Sequence, residues 1–307
     1  MFQQQLGINN FKGGIQILKK EFRRYLKDNV LIQKLKNEKL FTEKLLPDIQ
    51  KQAVFPAIRE NGIYFYYYNS LLFEYDGKFK THPKFAFVPS MYGNSYVSDG
   101  NEVGKISNFY DGYENIKERA KLYASPEAIG VYNICESGNI LSNNNYVVLD
   151  IEVAFETEMD KQNGIRQNRI DILLYDIKEK ALLFNEAKHF TNGEIWSNSV
   201  PAVVNQVNRY NNEIAQRKDE ILNVYKKYIG NINKIFADEL DNPLPLPQKV
   251  NQQCGLVIFG FDSDQRNGRL ENVKQNLINN NIKLYCIGNE RKINLENLYN
   301  KSRQSGR

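Results

Sequence analysis

Apolar positions recur along the chain with two different periods, and the change of period divides it. Between residues 11 and 50, Ile15, Leu18, Phe22, Tyr25 and Leu26 recur at helical spacing and predict a helical opening, followed by a charged stretch through Lys44. From Gly62 to Pro89 the texture becomes aromatic and β-rich. The runs IYFYYYN, LLFEYDGKF and KFAFV, with Asp76-Gly77 as a tight-turn pair, predict a small antiparallel sheet. Residues 91–105 are rich in Gly, Asn and Ser and poor in apolar side chains, which predicts a connection.

Two helical patterns follow, around Tyr110 to Tyr123 and Pro126 to Cys135. Then come three strand-like runs, YVVLDIEVAF (146–155), RIDILLYDI (169–177) and ALLFNEAKHF (181–190). Only the polar Lys178 to Lys180 separates the last two, so they predict a hairpin. Pro201 opens a helix whose apolar face is Val203, Val207, Tyr210 and Ile214, with continuation past Tyr225. The prolines of DNPLPLPQK (241–249) break it. A buried strand GLVIFGFD, an amphipathic helix through Leu270, Val273 and Leu277, and a strand IKLYCIG complete the pattern. The expected fold is α/β, a mixed sheet flanked by helices, preceded by an N-terminal α+β region; the expected division is 1–105 and 106–307.

Composition narrows the class only a little. No apolar run approaches the roughly 18 residues that span a bilayer, and the N-terminus lacks a charged-then-apolar signal pattern, so a cytoplasmic location is expected. Cys135, Cys254 and Cys286 are distant and odd in number, which argues against a disulfide framework or a Cys-rich zinc site. A formal charge of +5 is compatible with a polyanionic partner without requiring one.

The hairpin is where chemistry concentrates. A strand has period two, so Asp171, Leu173 and Tyr175 share one side of the first strand, and Phe184, Glu186 and Lys188 share one side of the second. Isolated charges are costly to bury, so apolar strands carrying Asp and Glu-Ala-Lys point to a site where a metal offsets the carboxylates. Two carboxylates suit Mg²⁺, a hard cation that keeps several waters, and an ammonium beside them can serve the attacking water or developing negative charge. The bland alternative for Glu186 and Lys188 is an incidental ion pair at a solvated strand end.

These residues resemble the PD-(D/E)xK phosphodiesterases, in which an acid on one hairpin strand is followed by (D/E)xK on the next. Here those positions read Asp171 and Glu186-Ala187-Lys188, with Ile170 where the family often has proline. In the following helix Gln206-Val207-Asn208-Arg209-Tyr210 fits the QxxxY pattern of RecB-like members, and Gln206 and Tyr210, four apart, share one helical face. The likeness covers about residues 108 to 290. It implies a restriction-endonuclease-like fold and a Mg²⁺-dependent deoxyribonuclease, with Mn²⁺ able to substitute. It implies Asp171, Glu186, Lys188 and Gln206 as catalytic residues, and Asp171, Glu186 and the Ala187 carbonyl as metal ligands.

An additional acid is drawn from several competitors. Glu152, flanked by Ile151 and Val153, is favoured as a further metal ligand over Glu114, Glu118 and Glu127 on the preceding helices, and Asp150 is read as structural. Arg169, Arg209 and Tyr210 are the expected nucleic-acid contacts, with Arg166, Arg217 and Lys218 also near in sequence, although Tyr210 equally fits the apolar stripe. His189 faces away from the site on a regular strand. Gly100 to Lys105 is one residue short of a phosphate loop and lacks its Ser or Thr, so ATP binding is rejected. The expected partner is DNA, double-stranded by preference, with a homodimer and a translocase or other restriction or antiviral-defence partner as further expectations. A non-catalytic DNA-binding or assembly subunit is the alternative. A third reading makes residues 1–105 a recognition or oligomerisation module.

Overall fold

The three apolar runs between residues 146 and 190 become neighbouring strands of one sheet. A computed structural model of the chain describes residues 21–27, 29–86, 96–99, 108–155, 169–197, 199–289 and 293–304. Ile15, Leu18, Arg166, the boundary at 105 and the Gly100 to Lys105 segment lie outside these residues.

Strand β1 spans Phe55–Arg59, β2 Gly62–Tyr67, β3 Ser70–Tyr75, β4 Phe79–Thr81 and β5 Val97–Ser98; they pair in that order as an antiparallel sheet. The second sheet contains β6 (Tyr146–Ala154), β7 (Arg169–Asp176), β8 (Ala181–His189), β9 (Lys249–Val250), β10 (Gly255–Phe259) and β11 (Lys283–Ile287). Its order is β11-β10-β8-β7-β6, with β9 beside the start of β8. β6, β7 and β8 pair antiparallel, whereas β8, β10 and β11 pair parallel, so the sheet is mixed.

Helices α1 (Val30–Lys36), α2 (Leu46–Gln50), α3 (Tyr113–Leu122), α4 (Pro126–Ser137), α5 (Ala202–Gln216), α6 (Lys218–Ile235), α7 (Ser263–Asn267), α8 (Arg269–Asn279) and α9 (Leu295–Gln304) flank the sheets. On one side of the mixed sheet, Leu173, Tyr175 and Phe184 join Val203, Val207 and Tyr210 of α5 and Tyr225 of α6 in one buried cluster. On the other, Ile172, Leu174 and Ala187 pack with Val131, Ile134 and Cys135 of α4. Gly130 lets α4 approach closely, because a Cβ there would lie 1.9 Å from the Phe259 ring. The larger cluster also contains Ile32, Phe41, Phe65 and Phe73, so the buried core runs without interruption from the N-terminal sheet to α6.

Three local expectations are corrected. Residues Phe22 to Leu26 are not helical; they lie against α6, where the Phe22 amide donates to Glu220 Oε1 (2.7 Å) and the Leu26 amide to Asn231 Oδ1 (2.9 Å). In KFAFV, Lys84 to Ala86 form a turn and positions 87 and 88 lie outside the described residues, while the fourth strand is Phe79–Thr81. The stretch 91–105 is not wholly a connection, since Val97–Ser98 completes the first sheet. Among the described residues no helix is long and apolar enough to cross a membrane.

Candidate active site

The β7–β8 ladder runs from Asp176–Ala181 to Ile172–Asn185 and stops there, just where the two strands carry their charged residues. Beyond that point β10 continues on the other side of β8, pairing Glu186 with Leu256 and Lys188 with Ile258. Asp171 fills the gap in the ladder with its side chain: its Oδ2 accepts a hydrogen bond from the Ala187 amide at 2.8 Å. Ala187 thus enters the site through its N–H. The N–H and C=O of one antiparallel strand residue face the same neighbour, which puts its carbonyl on the Asp171 side as well.

Glu186 is 1% exposed and Lys188 8% exposed, although both are charged residues on a core strand. The Lys188 ammonium lies 2.9 Å from Glu186 Oε1 and 2.8 Å from Glu194 Oε2, and Glu127 Oε1 is 4.0 Å away. Gln206, projecting from α5, donates through Nε2 to Glu186 Oε1 (2.8 Å) and to the Tyr210 hydroxyl (2.9 Å). The Tyr210 hydroxyl in turn donates to the Arg169 carbonyl (3.1 Å), tying α5 to the start of β7. One turn of helix therefore grips both hairpin strands.

Negative charge exceeds positive here. Asp171, Glu186, Glu127 and Glu194 surround the single Lys188 ammonium. Burial, then the charge of Glu186, pushes the Asp171 carboxyl well above the usual carboxylate range, against the pull of the Ala187 amide and Lys188. Burial also raises Glu186, with Lys188 opposing. Burial alone would lower Lys188, but Glu186 and Glu194 beside it hold it above the ordinary lysine value. Glu186 Oε2 is buried with no hydrogen-bond partner, a position that costs free energy unless something fills it.

Asp171 and the orphaned Glu186 oxygen fit a hard cation that prefers oxygen donors and retains waters. Among the described residues no three His, Cys, Asp or Glu side chains form a ready-made metal cage. The donor set on offer is two carboxylates from adjacent strands, with the Ala187 carbonyl on the same side.

Not every expected residue converges. Glu152 does not join Asp171; its carboxylate pairs with Arg169 Nη1 at 2.8 Å. Its backbone is left-handed, with φ of 49°, which turns the side chain out of the strand phase. The register also slips between Val148 and Asp150. The helix acid that does approach Lys188 is Glu127, held at the start of α4 and hydrogen-bonded by Asn192 Nδ2 (3.3 Å to Oε2). Glu114 pairs instead with Lys117 at 3.3 Å. Tyr210 is 4% exposed and so holds Gln206 and β7 without presenting its ring to a ligand. Arg169 and Arg209 are exposed. Asp150 is buried between Arg59 (2.8 Å), the Tyr225 hydroxyl (2.9 Å) and the Ile151 amide (2.8 Å). His189 Nδ1 contacts Thr191 Oγ1 at 2.8 Å, and its ring meets Phe259 edge-on.

Glu194 was not anticipated from sequence. It sits on a short 3₁₀ turn, Gly193–Ile195, capped by Asn192, and the only signal was an Asn-Gly turn closely following the Lys188 strand. No family model matches the chain, and no curated protein or solved structure matches it either.

Proposed function

We propose that the protein is a metal-dependent nuclease that hydrolyses phosphodiester bonds of DNA, built on a restriction-endonuclease-like fold of the PD-(D/E)xK type. The observation that carries this reading is the charge imbalance on the hairpin: four carboxylates, one of them with an orphaned oxygen, gathered about one buried lysine. Buried carboxylates whose protonation is shifted by burial and by one another are concentrated at functional sites. Mg²⁺, with Mn²⁺ as substitute, is the cation that the two oxygen donors suit.

Asp171 and Glu186 would hold the ion, with the Ala187 carbonyl completing its protein ligands. When bound, the ion supplies positive charge against the two carboxylates and polarises a phosphoryl oxygen. Lys188 orients the attacking water and stabilises the charge that builds on the phosphoryl oxygens. Gln206 fixes the Glu186 carboxylate through Oε1, and Oε2, which has no partner in the protein, is the oxygen that would take the ion. Arg169 and Arg209, exposed on β7 and α5, supply positive charge for the nucleic-acid backbone. In-line attack would leave a 3′-hydroxyl and a 5′-phosphate.

Cleavage of circular and linear DNA by wild type, Glu186→Ala and Lys188→Ala, each with Mg²⁺, Mn²⁺ and EDTA, tests this. Cutting should require the cation, and each substitution should slow it by about 10³-fold, the scale of a lost transition-state contact. Folded variants that cut like wild type would remove these residues from the site. A folded wild type that binds DNA yet never cuts would instead identify a non-catalytic binding subunit.

A further inference from the structure

A cleft of about 610 Å³ opens between the N-terminal sheet and the start of β7, within the roughly 300–1,000 Å³ range of small-ligand sites. Its rim carries more acid than base: Arg169 pairs with Glu152 (2.8 Å), Arg23 pairs with both Glu21 (2.6 Å) and Glu60 (2.5 Å), and Glu74 lines it as well. Its floor is basic. There Arg24 and Arg59 share the single carboxylate of Asp150, at 3.5 and 2.8 Å. Arg59, Tyr225 and the Ile151 amide already occupy that carboxylate. Arg24 is 7% exposed, and its Nη1 has no hydrogen-bond partner. Two buried guanidinium groups against one carboxylate leave positive charge at the floor itself. Arg59 already donates through Nη1 to the Ile58 carbonyl and Asp150 and through Nη2 to the Tyr66 hydroxyl and the Ile151 carbonyl, so the Arg24 Nη1 is the donor left for an anion such as phosphate.

The wall above is aromatic. Tyr64 and Tyr96 line the cleft, Tyr96 is 40% exposed, and the Tyr64 ring lies 5.7 Å from the Arg59 guanidinium. We infer that this cleft binds a nucleoside phosphate, with the phosphate drawn to Arg24 and Arg59 and the base stacked against Tyr64 and Tyr96. The cleft adjoins the hairpin site. Arg169 lines it, is two strand residues or about 7 Å from Asp171, and accepts through its carbonyl the hydrogen bond that runs from Tyr210 to Gln206 and Glu186. The source of the ligand rests on the nuclease reading: it is an unpaired nucleotide of the substrate strand beside the phosphate to be cut. A base can enter such a cleft only from outside a duplex stack.

Binding is measured in EDTA, where no cutting occurs, with a fluorescein-labelled single-stranded DNA 10-mer, the same sequence as duplex, and free 5′-dAMP as competitor. Wild type should bind the single strand more tightly than the duplex. Tyr64→Leu and Tyr96→Ala should each weaken that binding about tenfold, the scale of one lost base stack. Arg24→Gln should weaken it and lessen its salt dependence; if that variant fails to fold, the two tyrosine variants carry the test. Competition by 5′-dAMP would extend the site to free nucleotides, and failure to compete would confine it to the strand. Wild-type affinity in both folded tyrosine variants, or tighter binding of duplex than of single strand, overturns the inference. Because metal-dependent cutting is assayed separately, loss of either reading leaves the other distinguishable.

Discussion

Asp150 on β6 and Glu186 on β8 are both essentially buried, at 0% and 1% exposure, yet their surroundings treat the charge in opposite ways. Around Asp150, two arginines, a tyrosine hydroxyl and a backbone amide converge on the two oxygens. Around Glu186 one oxygen is held by Lys188 and Gln206, the other has nothing, and three further carboxylates stand near the same lysine. The same sheet has therefore given both oxygens of one buried acid a partner and left one oxygen of the other without any. Matching is what a structural charge requires. On the nuclease reading, the unpartnered oxygen is where the cation would bind.

Replacing each acid should separate the two roles. Asp150→Ala leaves Arg59 and Arg24 buried without a counter-charge and should destabilise the fold by about 3–5 kcal/mol, measured by urea unfolding. Asp171→Asn, in EDTA, should do the reverse and raise stability, because it removes a carboxylate whose ionisation the folded state opposes. Equal destabilisation by both would erase the distinction.

Metal and pH sharpen it next. Asp171 and Glu186 have folded pKa values raised above their unfolded ones, so the native state holds protons longer. Their favourable contribution is present at low pH and is lost as pH rises from the unfolded carboxylate range, about 4, through the raised folded values. Metal-free protein should lose stability across that window. On the nuclease reading Mg²⁺ would bind the ionised pair, so its stabilisation should be largest above it, about 2.7 kcal/mol at a hundredfold excess over its dissociation constant. Thermal midpoints with Mg²⁺ and with EDTA, taken across that pH range, give the difference; a Mg²⁺ effect that shrinks as pH rises would contradict the assignment.

The smallest change is at Gln206. Removing its amide by Gln206→Ala loses the bonds to Glu186 and to the Tyr210 hydroxyl, the first of them to a charged group and worth about 1.5–3 kcal/mol. Cleavage should fall roughly ten- to hundredfold, well short of the Lys188→Ala loss, and the unfolding midpoint should fall with it. An effect as large as that of Lys188→Ala would make Gln206 a direct participant.

The hairpin was legible because its strands are apolar, short and separated by a polar turn, so the period-two phase put Asp171, Glu186 and Lys188 together without any knowledge of the rest. Phase counting failed on β6, where the register slip and the left-handed Glu152 break the alternation; this is why Glu152 looked better placed than Glu127. At the N-terminus, Phe22, Tyr25 and Leu26 have helical spacing, but hydrogen bonds to Glu220 and Asn231 of α6 settle that segment in an irregular path. β1 went unread because Pro56 interrupts its pattern, which a sheet tolerates at an edge, and β1 is an edge strand. Glu194 and the arginine cleft are assembled from separated parts of the chain, which no local period reports.

The hairpin also sets an order of events during folding. Its turn is held by the Asp176 carboxylate accepting from the Glu179 amide (2.9 Å), and its contacts are local, whereas β8 meets β10 across 70 residues, Glu186 against Leu256. Hairpins close in about 1–10 μs, and distant parallel pairing comes more slowly. The two acids therefore meet while still surrounded by water, where their repulsion is slight. The full electrostatic penalty arrives later, when β10 and α5 close over them. If the site takes a divalent cation, as the nuclease reading has it, the ion would reach the pair before that closure and would ease the step that dries the site.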